Sequence, residues 1–141
     1  MRFMLLLKGD PAPGATPSEE LIGAMLKFNE ELAKSGVLLA AEGLHSSGHG
    51  ARVQYLDGKR TVTDGPFTES KELVAGYYLI QVGSKEEAIE WASRCPVEYA
   101  VQPGQEAVVE VRLVADMSEL PEATEDQVAR QQNVRDQIVG G

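Results

Sequence analysis

The sequence predicts an α+β fold, a ferredoxin-like antiparallel sheet with two helices on one face and an inserted β-hairpin, and three observations lead there. Two apolar runs, Arg2 to Leu7 and Leu73 to Val82, carry greasy residues on both faces, as strands inside a sheet do. Two other segments repeat apolar residues at helical spacing behind capping sequences. Between them, Asp57-Gly58 sits among alternating residues, and Asp-Gly favours the positive φ angles of a tight hairpin turn.

The elements follow in order. Arg2 to Leu7 places Phe3, Leu5 and Leu7 on one side and Met4 and Leu6 on the other, and Lys8-Gly9-Asp10-Pro11 ends the strand. Thr16-Pro17-Ser18-Glu19 reads as a capping box with proline in the first turn, where its missing N–H costs nothing. Leu21, Met25, Phe28 and Leu32 then form a stripe, and Gly36 is placed to end the helix. Val37 to Ala41 reads as a second strand, and Gly43 to Gly50 as a glycine-rich loop. The hairpin runs around Val53, Tyr55 and Arg60 to Thr63, and the Asp64-Gly65-Pro66-Phe67 turn leads to the strand Leu73 to Val82. Ser84-Lys85-Glu86-Glu87 opens a second helix with Ala88, Ile89, Trp91 and Ala92, which stops near Pro96. Ala107 to Val114 is the last strand. Thr124 to Gln127 resembles a further capping box, but Val128, Val134 and Ile138 give a thin apolar stripe, so the tail helix is expected at the periphery. The expected division is one domain over residues 1–116 and a tail helix over 117–141.

Two helices cover one face of such a sheet, and the apolar residues of the other face then need a second cover. A second copy of the sheet supplies it, giving a homodimer packed face to face, a dimeric α/β barrel.

Composition narrows the function classes. A 141-residue chain with 43% hydrophobic residues and a net charge of −9 suits a single domain that repels a phosphate backbone, so nucleic acid is not an expected partner. The single cysteine, Cys95, excludes an intrachain disulfide and a CxxC metal site. The apolar start reaches only to Leu7, too short for a membrane span or a secretory signal core, so the expected location is cytoplasmic with no membrane partner.

The segment Thr63-Asp64-Gly65-Pro66-Phe67-Thr68-Glu69-Ser70-Lys71-Glu72, followed by Gly76-Tyr77-Tyr78, resembles the DGPF branch of the YCII-related proteins. Glu42-Gly43-Leu44-His45, Ala88-Ile89-Glu90-Trp91-Ala92 with Cys95-Pro96, and Glu110-Val111-Arg112 add to the resemblance, which spans roughly residues 1 to 115. It implies a ferredoxin-like fold, a barrel-like dimer and, for most bacterial members, no assigned reaction. It also implies a His and Asp pair at a pocket in the barrel, with His45 at the matching Leu-His position. Proteins of the DGPF type are often encoded beside extracytoplasmic-function sigma factors. That context implies an alternative, a non-catalytic dimeric module binding a sigma factor, and an acidic chain suits a basic protein partner.

The residues themselves offer few groups for chemistry. The plain reading of Asp64 is a structural turn, with its carboxylate folded onto nearby N–H groups, Pro66 stiffening the corner and Phe67 anchoring it. The functional reading makes Asp64 a general acid or base and His45 a proton carrier, the two candidate catalytic residues. His45 and His49 without a third ligand make a poor zinc site, and no metal or cofactor is expected. Ser46 and Ser47 lack a nucleophile elbow, and the glycines of that loop lack a phosphate-binding continuation. Lys71, Tyr78 and Arg112 are the candidate ligand-binding residues: Lys71 for an acidic group, one of Tyr77 and Tyr78 because they face opposite ways, and Arg112 beside Glu110 on a charged strand face. The plain reading of Glu110 and Arg112 is an edge strand protected by charge. The expected ligand is a small molecule, held between sheet and helix.

Overall fold

The computed structural model describes residues 1–12 and 14–139. The strands are β1 (Arg2–Lys8), β2 (Leu38–Gly43), β3 (Ala51–Leu56), β4 (Lys59–Asp64), β5 (Val74–Gln81) and β6 (Val109–Leu113). The helices are α1 (Glu19–Ser35), α2 (Lys85–Arg94) and α3 (Glu125–Val139). Gly140 and Gly141, the end of the expected tail, lie outside the described residues.

The main sheet has the order β2-β5-β1-β6 and is antiparallel throughout, while among the described residues β3 and β4 pair only with each other. With α1 and α2 on one face, this α+β arrangement is consistent with the ferredoxin-like plan. The hairpin turns at Asp57 and Gly58 with φ of 50° and 79°, the two positive values that the sequence called for.

Local signals placed the helix ends with one shift. Ser18, rather than Thr16, caps α1, its hydroxyl accepting from the Leu21 N–H, so Pro17 precedes the helix. Glu19 and Glu20 then fall in the first turn, where the helix dipole favours carboxylates. Gly36 closes α1 in the left-handed region at φ 82°. In α2, Ser84 accepts from the Glu87 N–H, and the Glu87 carboxylate reaches back to the Gly83 N–H. Thr124 and Gln127 exchange hydrogen bonds at the start of α3, a complete capping box.

Register sorts the side chains into two faces. Leu38, Ile80, Phe3 and Leu113 lie in one cross-sheet row on the helix side, and Ala41, Tyr78, Leu5 and Val111 in the next. Here Phe3, Leu5, Tyr78 and Ile80 join Phe28, Leu32, Ala88 and Cys95 as the buried core. Phe28 meets the Tyr78 ring edge-on at 5.3 Å, a favoured aromatic geometry. On the opposite face the rows read Ala40, Leu79, Met4, Arg112 and then Glu42, Tyr77, Leu6, Glu110. Its centre is apolar, and Glu42, Glu110 and Arg112 stand at its edges. Both packed helices lie on the other side, and α3 makes its main contact with the preceding turn, Met117–Glu119. No described helix is long and apolar enough to cross a membrane.

Candidate functional site

Three loops meet at the end of the sheet where β1 finishes. Gly9 closes that strand by donating to the Leu73 carbonyl, which delivers Asp10 to the loop between β2 and β3. The Asp10 carboxylate accepts from the Ser47 N–H at 2.6 Å with one oxygen and from the Ser47 hydroxyl at 2.5 Å with the other. The same hydroxyl oxygen accepts from the Phe67 N–H at 2.9 Å, so one serine ties the strand end, the loop and the DGPF turn together. Gly65 donates to the Gly50 carbonyl, and the Gly65–Pro66 bond is cis. A Cβ on Gly65 would stand 1.8 Å from the Ser47 carbonyl oxygen, so this turn approaches the loop as only glycine allows.

The DGPF turn is also held from the side. The Arg52 guanidinium stacks over the Phe67 ring at 3.8 Å and pairs with Glu69 at 3.3 Å. A backbone N–H first, and then Arg52, hold the Glu69 carboxyl below its usual range. Phe67 thus anchors the corner as expected. The backbone-binding role expected of Asp64 belongs instead to Asp10: Asp64 is exposed and its carboxylate accepts no hydrogen bond among the described residues.

The two histidines stand on this junction. Their rings lie 4.9 Å apart, tilted by 34°, and both side chains face solvent. Asp64 joins the same region through its register with Ala51, two residues beyond His49. No hydrogen bond links His45 to Asp64 among the described residues, so they are neighbours in one loop cluster rather than a formed dyad. Ser47 is engaged with Asp10 and Phe67 rather than with an imidazole, so its hydroxyl serves the junction. Among the described residues no group of three metal-ligating side chains forms.

The candidate ligand-binding residues lie apart. Lys71 is exposed after the turn. Tyr78 is buried in the helix-side core and its hydroxyl donates to Asn29 on α1, with burial pushing the phenol pKa well up. Arg112 pairs with Glu110 at 3.7 Å on β6, the edge strand farthest from β2 and its loop. A groove of about 650 Å³ does run between α2 and β6, lined by Ile89, Ala92, Cys95, Val97, Val101 and Val109 among others, but neither His45 nor Asp64 lines it. Burial, and next the Glu98 carboxylate, push the Cys95 thiol up to about 12.

The family model of the YCII-related domain matches residues 1–118. The chain belongs to the YCII-related domain family. No curated relative matches it. In this YCII-related chain the matched region takes in the sheet, α1, α2 and the loop junction, and leaves α3 outside. Sequence reasoning missed Asp10 and Ser47, which organise that junction. Asp10 read as a strand terminator, and nothing in the spacing of two residues 37 positions apart announces their contact.

Proposed function

We propose that this YCII-related chain works as a homodimer whose two sheets pack open face to open face as a dimeric α/β barrel, and that it binds a small molecule at the loop rim. His45 serves there as proton carrier, Asp64 as acid or base, and Lys71 as a contact for an acidic ligand, a chemistry that needs no cofactor. The observation that carries this reading is the apolar centre formed by Met4, Leu6, Tyr77 and Leu79 on the face opposite both packed helices. Each of these side chains is only half-buried. Burying them against a second copy gains roughly 25 cal/mol for each Å² of apolar surface removed from water. Glu42, Glu110 and Arg112 border that centre, the arrangement of an interface with a greasy core and a polar rim.

Sedimentation of the protein and of Leu6→Asp tests the assembly. The parent chain sediments as a dimer at micromolar concentration and the variant as a folded monomer; a monomeric parent sinks the reading. A thermal-shift screen of small acids, followed by Asp64→Asn and His45→Gln, tests the site. Turnover of a substrate so found, unchanged in both variants, removes the proton-transfer roles.

A further inference from the structure

The β3–β4 hairpin stands outside the main sheet. Alternation puts Val53 and Tyr55 on one of its faces, and their cross-strand partners Val62 and Arg60 share it. Val53, Val62 and Tyr55 are 59%, 65% and 71% exposed, a continuous apolar stripe. A lone two-stranded hairpin is marginal in water and gains stability only when a further layer covers one side. Its base, by contrast, is fixed by the Gly65–Gly50 hydrogen bond and by Arg52 on Phe67 and Glu69.

We propose that the hairpin is an arm that lays its Val53–Tyr55–Val62 face on a second copy of the chain, along the edge of that copy's open sheet face. This rests on the dimer reading above and deepens it. Charge selects a second copy of this acidic protein as the occupant. The chain carries −9 overall, whereas the arm places Lys59 and Arg60 side by side near its tip, with Arg52 held by Glu69 of its own chain. Arg60 lies within the apolar stripe and meets no carboxylate at ion-pair distance among the described residues, and Glu42, at the β2 edge of the open face, likewise meets no cation. Chain path points the same way. The arm begins eight positions after Gly43, where β2 and the open face end, so in a face-to-face dimer it leaves from the end of the sheet that borders the shared surface. His49, Gly50 and Asp64 lie at the base of the arm, so an arm seated on the second copy brings that copy beside the loop cluster.

Two measurements test the arm. In the first, sedimentation equilibrium compares the parent chain with the triple variant Val53→Ser, Tyr55→Ser, Val62→Thr, whose core strands and helices are untouched. The arm predicts a dissociation constant raised at least about tenfold, that is, a loss of about 1.4 kcal/mol. In the second, a benzophenone amino acid replaces Tyr55 in the otherwise unaltered chain, and irradiation yields a covalent dimer whose cross-link maps to the sheet of the other copy. A dimeric parent with unchanged affinity in the triple variant, or with cross-links confined to one chain, overturns the arm and leaves the dimer standing. A monomeric parent overturns both.

Discussion

Replacing Asp10 with alanine removes the acceptor that joins three loops. Two hydrogen bonds to a carboxylate disappear together, and the Ser47 N–H loses its partner at a half-buried position. Bonds to a charged group contribute about 1.5–3 kcal/mol each, and partial access of water reduces that, so Asp10→Ala should cost about 3 kcal/mol. In a chain of this length the melting temperature falls by roughly 10 °C. Asp10→Asn keeps an oxygen for the Ser47 N–H and offers an amide donor to the Ser47 oxygen, so its cost is about 1 kcal/mol. Circular-dichroism melts of the two variants beside the parent measure both values. If Asp10→Ala melts within about 2 °C of the parent, the junction does not depend on this carboxylate.

Further outcomes follow from the same structure. Gly65→Ala puts a methyl group 1.8 Å from one backbone atom and 2.7 Å from another, where no rotamer gives relief, so it should cost about 3 kcal/mol or more and sharply lower the soluble yield. Tyr78→Phe strips the Asn29 side chain of its donor while keeping the ring on Phe28, and should cost about 1–2 kcal/mol in a denaturant titration. Cys95 is 4% exposed and its thiol is raised to about 12, so Ellman's reagent at about pH 8 should label the chain only after guanidinium is added. The sign of the linked stability follows. The folded thiol keeps its proton where the unfolded one, near 9, gives it up, so the stability is fully present below 9 and is lost as pH rises from there towards 12. Melts at rising alkaline pH check this, and a Cys95→Ala variant should show a weaker decline.

The elements were legible in the sequence because local chemistry dictates them. Ser84 and Thr124 cap helices, Gly36 ends one, and Asp57-Gly58 turns a hairpin, each through contacts within a few residues. The two-faced apolar pattern of β1 and β5 likewise placed them side by side at the centre of the sheet. The one displaced cap, Ser18 for Thr16, lies among competing hydroxyls two residues apart, which local pattern alone ranks poorly.

The loop junction was not legible in this way. Asp10, Ser47 and Phe67 come from three separate connections, and their hydrogen bonds exist only after the strands that carry them are aligned. Tyr77 and Tyr78 could be assigned to opposite faces by alternation, but only the sheet order decided that Tyr78 meets Phe28 and Asn29. The sequence by itself determined which segments are strand or helix and which strands are greasy on both sides, since those properties repeat every two or 3.6 residues along the chain. Tertiary structure decided which carboxylate holds the DGPF turn and where the histidines stand, because contacts between distant residues depend on register and packing that no short window contains.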